Sequence, residues 1–126
     1  MAPRKQWVEK MAVAVAKEHL ISKGVELVQA QAVGEGFQLV YVDDGTLVFA
    51  DVVGAQGLMS APPAEDDEEA VLESLRTMRR RYDLETRPVR YDAITVELPG
   101  TADGDAVIRR YVDHFGCQEK LNENGR

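Results

Sequence analysis

The sequence predicts an α/β fold: a mixed four-stranded sheet flanked by helices, in the element order α-β-β-β-α-β-α. Three observations lead there. A helix-period segment opens the chain, a nearly continuous apolar β-hairpin occupies residues 37–53, and a charged helix then a strand follow it. At 126 residues and 44% apolar, the chain can bury one modest core, so residues 1–116 are expected to form a single domain and 117–126 a polar, flexible tail.

Each element has its own warrant. Trp7, Val8, Met11, Ala12, Val15, Ala16 and His19 recur at i, i+3 and i+4, and Gly24 follows Lys23 as a stop, which predicts a helix within 3–23 with Trp7 and Met11 in the core. Residues 25–33 read as a strand. In the hairpin, 37–42 and 46–53 are rich in β-branched and aromatic residues, and Asp43-Asp44-Gly45 supplies the positive φ of a tight turn. Strands this apolar belong in the middle of a sheet covered on both faces, where a polar side chain needs a partner or a role. Gln38 and Asp51 are the polar exceptions.

Residues 54–63 form a Gly/Ser/Pro-containing loop, a candidate mobile segment. A helix is expected over 64–82, with Glu65, Asp66, Asp67, Glu68 and Glu69 in its first turns and Arg76, Arg79, Arg80 and Arg81 near its end, the order the helix macrodipole favours. Residues 87–98 alternate as a strand, Val89, Tyr91, Ala93 and Thr95 on one side and Arg90, Asp92, Ile94 and Val96 on the other. A turn-rich link over 99–105, a short helix over 106–115 and a frayed tail complete the chain.

Charge and motifs exclude several function classes. The net charge is −7, but the five acids at 65–69 supply most of the imbalance, and the helix carrying the arginines holds more acid than base. A nucleic-acid binder normally shows a basic stripe, so a protein partner or a second copy is favoured over DNA. The single cysteine, Cys117, permits no intramolecular disulfide and has no reason for a depressed pKa, which fits a reducing cytoplasm. No apolar run approaches the roughly 18 residues of a membrane span, and no signal-peptide core precedes the first helix. No G-x-S-x-G, P-loop or G-x-G-x-x-G is present; Gly34-Glu35-Gly36 is a loop signal. His19 and His114 lack ligand-spaced partners and read as a core-edge histidine and a helix C-terminal histidine.

Residues 11–96 resemble the YraN family of bacterial proteins, which have the restriction-endonuclease, PD-(D/E)-x-K, fold and are similar to Holliday-junction resolvases. The matching pieces are AKEHLISKG at the end of the first helix, EGFQLVYVDDG against the family's GEIDLIARDG, TLVFADVV against TLVFVEVK, and RYDAITVEL against RFDVVSVEL. VIRRYVDHF resembles the family's closing helix. The TLVF-x-(E/D)-V block and the later R-(F/Y)-D block are fairly specific in combination.

The resemblance implies a metal-dependent nuclease site, and this chain departs from it. The family's first-helix glutamate falls on Val13, its strand aspartate on Gln38, its second glutamate on Asp51 and its lysine on Val53. Phosphodiester hydrolysis in such a site needs Mg²⁺ clamped by carboxylates and a lysine near the attacking water. Valine binds no cation, glutamine offers only a neutral carbonyl, and one carboxylate holds Mg²⁺ weakly. Migrated ligands are the alternative: Glu9 and Lys17, one turn either side of Val13, Glu35 and Asp43 beside the strand of Gln38, and Arg76 or Arg79 in place of the lysine.

The expectation is a non-catalytic relative of the nuclease fold, without a cofactor, acting as a binding or accessory protein; weak nucleic-acid binding is compatible with it. Its rival is a Mg²⁺-dependent endonuclease on branched or single-stranded DNA, with a site rebuilt around Asp51.

Overall fold

The computed structural model describes residues 2–31, 36–57, 61–101 and 104–124. Helix α1 (Ala2–Ser22) leads into strand β1 (Glu26–Ala30), then β2 (Leu39–Asp43) and β3 (Thr46–Gln56). A 3₁₀ turn (Glu65–Asp67) opens α2 (Glu68–Arg81), followed by β4 (Val89–Leu98), β5 (Val107–Tyr111), a second 3₁₀ turn (His114–Gly116) and α3 (Cys117–Asn124). The strands form one five-stranded sheet in the order β1-β2-β3-β4-β5, antiparallel except for the β3–β4 pair. None of the helices is long and apolar enough to cross a membrane, among the described residues.

The hairpin forms as its sequence requires. Asp43 pairs with Thr46, leaving Asp44 (φ 50°) and Gly45 (φ 83°) as a two-residue turn with both φ positive, which matches the right-handed twist of the flanking strands. β2 and β3 lie inside the sheet, with helices on both faces. Ala12, Val13, Ala16 and Leu20 of α1 pack with Leu39, Tyr41, Val48, Ala50, Val52, Ile94 and Val96 on one face. Val71, Leu72 and Leu75 of α2 and Cys117 and Leu121 of α3 pack with Phe37, Val40, Phe49, Tyr91 and Ala93 on the other. The alternation expected along β4 holds, with Tyr91 and Ala93 facing α2 and Ile94 and Val96 facing α1.

Several expectations need correction. The sheet has five strands because residues 107–111, expected in a helix over 106–115, pair antiparallel with β4. Without them the edge of β4 would stay open, and pairing satisfies main-chain groups that a helix would satisfy internally. Asp113 (φ 53°) and Phe115 (φ 69°) then adopt left-handed conformations that no continuing helix tolerates. Residues 117–124, expected as a polar tail, form α3, whose Cys117 and Leu121 are one turn apart and both buried. β1 is shorter than the expected 25–33, and residues 32–35 lie outside the described ones.

Trp7 and Met11, expected in the core, are 48% and 39% exposed. The cause is a close crossing of α1 over β3. A Cβ placed on Gly54 would meet the Cβ of Ala12 at 2.5 Å, so small residues must face the sheet there and the large ones turn outward. Gly24, with φ 89°, ends α1 as expected, its N–H donating to the Ile21 carbonyl. The segment expected as a loop over 54–63 begins inside β3, which continues to Gln56; residues 58–60 of it lie outside the described ones.

Candidate functional site

Asp51 sits on the α2-facing side of β3, in the middle of the sheet. The parallel register sets Phe49 beside Tyr91 and Asp51 beside Ala93, so the Tyr91 ring reaches along the same face toward the carboxylate. Its hydroxyl donates to Asp51 Oδ2 at 2.7 Å. Tyr91 is fully buried and held by Phe37 (ring centroids 5.8 Å apart) and by the parallel ring of Phe115 (6.1 Å). Packing therefore holds the donor in place independently of the hydrogen bond.

Above Asp51 lies a pocket of about 320 Å³ between the hairpin and the first turns of α2, with walls of Phe37, Pro63 and Val71. Asp67 and Ser74 also line it. Burial is the main reason the Asp51 carboxyl is held above its usual range; the Tyr91 hydrogen bond works against that shift and the negative charge of Asp67 adds to it. For the Tyr91 phenol, burial comes first, and then the charge of Asp51 and the hydrogen bond to it, in raising its pKa. Both groups therefore hold their protons more tightly in this low-dielectric environment.

Gln38 does not mimic a carboxylate ligand. Its side-chain Oε1 accepts from the Val52 N–H at 3.2 Å and its Nε2 donates to the Val52 carbonyl at 3.5 Å, so the amide extends the β2–β3 pairing beyond the end of β2. Val53 follows Asp51 on the same face and is half-buried. Val13 is buried in the apolar layer under α1, on the opposite face from Asp51. Glu9 and Lys17 also belong to α1, so the structure does not bring them to the Asp51 face. Glu35 lies outside the described residues. Arg76 is committed to Glu69 and Glu73, each at 3.4 Å, and Arg79 donates to the Glu85 carbonyl at 2.7 Å. No group of three or more His, Cys, Asp or Glu is arranged to hold a metal ion among the described residues.

Three residues around the Asp51 pocket escape sequence reasoning. Asp67 has the signature of a solvated acidic run, and Tyr91 that of an ordinary strand residue. His114, expected at a helix C-terminus, instead packs on Phe115 (4.2 Å between centroids) and on Tyr91 (6.3 Å), with Nε2 2.7 Å from the Pro63 carbonyl. Since a carbonyl only accepts, Nε2 carries the proton and pins the pocket wall at Pro63. Cys117, expected in a flexible tail, is buried, and burial, with Asp113 and Glu68, pushes its thiol up to about 11.

A second polar cluster occupies the other face. Asp92 is fully buried, yet it accepts from Tyr41 Oη (2.5 Å), from Arg90 Nε and Nη2 (2.8 and 2.9 Å) and from the Asp113 N–H (3.0 Å). Arg90 Nη2 also donates to Asp43 at 2.9 Å, and Arg110 lies 3.6 Å from the same carboxylate. Burial opposes the Arg90 charge, but hydrogen bonds to Asp92 and Asp43 outweigh it and hold the proton more tightly. Both oxygens of Asp92 are engaged, and the cluster ties β2 and β4 to the turn after β5. This arrangement is structural.

Fold and site together define an α/β protein with a mixed five-stranded sheet and an acidic, half-apolar pocket over its central strands. No known protein-family model matches the chain, and no curated protein matches it.

Proposed function

We propose that this chain is a non-catalytic member of the restriction-endonuclease-like fold that works in the cytoplasm as a binding or accessory protein. The observation that carries the reading is the engagement of Asp51 by Tyr91. A carboxylate that is desolvated, proton-favouring and already hydrogen-bonded is a poor ligand for a hard cation, which needs charged oxygens free to coordinate. Val53 supplies apolar surface beside it, and Val13 fills the core on the other side of the sheet.

The element order through α1, the three-stranded meander, α2 and the parallel strand β4 is consistent with that fold. The exposed Trp7 and Met11, which flank a groove of about 270 Å³ with Leu98 and Pro99, support a protein partner or self-association over DNA. One observation favours the rival endonuclease: Asp67 places a second carboxylate in the Asp51 pocket.

Incubation of the purified protein with four-way-junction and single-stranded DNA in Mg²⁺ or Mn²⁺ decides between them. Intact DNA throughout is expected of a non-catalytic protein. Cleavage that disappears in both Asp51→Ala and Asp67→Ala establishes the endonuclease.

A further inference from the structure

We infer that the cleft at the C-terminal end of α2 binds one phosphoryl group, either free phosphate or the terminal phosphate of a larger ligand. The cleft, about 240 Å³, lies between the last turn of α2, the connection over 82–88 and α3, and is lined by Arg79, Glu85, Thr86, Arg87 and Gln118. It is separate from the Asp51 pocket, which lies at the other end of α2, and does not depend on how that pocket is read.

The arginines of this cleft differ from most of their neighbours; the exposed Arg81 shares their lack of a carboxylate partner among the described residues. Arg76, Arg80, Arg90, Arg109 and Arg110 each pair with a carboxylate. Arg79 and Arg87 pair with none among the described residues. Arg79 Nη2 donates to the Glu85 carbonyl at 2.7 Å, which fixes the guanidinium plane, while its Nε is shielded from solvent and has no hydrogen-bond partner among the described residues. The shielded Nε is out of reach of a ligand, so the Nη edge is what Arg79 offers to the cleft.

A phosphoryl group suits that edge. Its oxygens match the guanidinium fork, and charge-assisted bonds of this kind are about twice as strong as neutral ones. Arg87, exposed at the rim, adds a second positive charge, and Thr86 and Gln118 add neutral donors. Glu85 is the one acid in the lining, and its charge opposes an anion. Replacing it should therefore strengthen binding.

Calorimetric titration with inorganic phosphate at constant ionic strength tests the site, using the wild-type protein, Arg79→Gln, Arg87→Gln and Glu85→Gln. Saturable one-to-one binding is expected, lost in Arg79→Gln, weakened about tenfold in Arg87→Gln and tightened in Glu85→Gln. Should Arg79→Gln fail to fold, the exposed Arg87 decides the matter. A 5′-phosphorylated oligothymidylate compared with the same strand lacking the phosphate separates the two sources: preference for the phosphorylated strand indicates a carrier, and response to inorganic phosphate alone indicates the free ion. A phosphate isotherm no stronger than that of chloride, or one unchanged in Arg87→Gln, overturns the proposal.

Discussion

The Tyr91 hydroxyl and the Asp51 carboxylate meet at 2.7 Å across two parallel strands, and the hydrogen bond joins a fully buried ring to a carboxyl held above its usual pKa. Tyr91→Phe removes the donor while keeping the ring and leaves Asp51 without that partner. The expected loss is about 1–3 kcal/mol in urea unfolding at pH 7. In a double-mutant cycle most of it should vanish on an Asp51→Ala background, because the two residues act as one unit.

Burial raises the Asp51 pKa, so the folded state binds this proton more tightly than the unfolded chain does. Stability from this group is fully present below the unfolded value of 3.8 and declines as pH rises through the interval up to the folded value. Asp51→Asn keeps an acceptor for Tyr91 without the charge. The variant should melt higher than wild type at pH 7, with the advantage shrinking toward pH 4, as followed by circular dichroism across that range.

Much of this architecture is readable from residue order alone, and the parts that are not have a common cause. The hairpin is legible because Asp44-Gly45 demands positive φ and the flanking strands have almost no polar positions. Gln38 and Asp51 stand out for the same reason. Their partners do not, because the pairing of β3 with β4 is set by tertiary packing across a connection of more than thirty residues. Residues 107–112 carry apolar side chains at 107, 108, 111 and 112, which fits a helix period; the open edge of β4 decides for a strand. α3 has only Cys117 and Leu121 to announce it, too few for a periodic signal. The R-(F/Y)-D block is visible in the sequence only as a resemblance, yet all three of its residues have separate tasks: Arg90 and Asp92 pair on one face while Tyr91 holds Asp51 on the other.

Breaking that buried pair is expected to be severe. Asp92→Ala strands the Arg90 and Tyr41 donors and should cost about 3–5 kcal/mol, a large share of the roughly 5–15 kcal/mol typical of a domain. An Arg90→Met, Asp92→Leu double variant should recover part of the loss in the same denaturant titration, since it removes the stranded Arg90 charge and keeps the volume while the Tyr41 hydroxyl stays without its acceptor.

Contact between α1 and β3 rests on Gly54. Gly54→Ala places a methyl 2.5 Å from the Ala12 Cβ and should destabilise the fold by about 1–3 kcal/mol through overpacking. Ala12→Gly should relieve the clash, offset by about 1 kcal/mol of lost helix propensity. Thermal melting of the two single variants and the double variant reads the coupling directly.

Under the proposed reading, Asp51, desolvated and tied to Tyr91, does not serve as a divalent-metal ligand. Isothermal titration with Mn²⁺ tests this most directly, on the wild-type protein and on Asp51→Ala. No saturable heat is expected up to roughly millimolar Mn²⁺, the range of weak oxygen-ligand sites, and the two proteins should give identical traces. One-to-one binding that disappears in Asp51→Ala would contradict it.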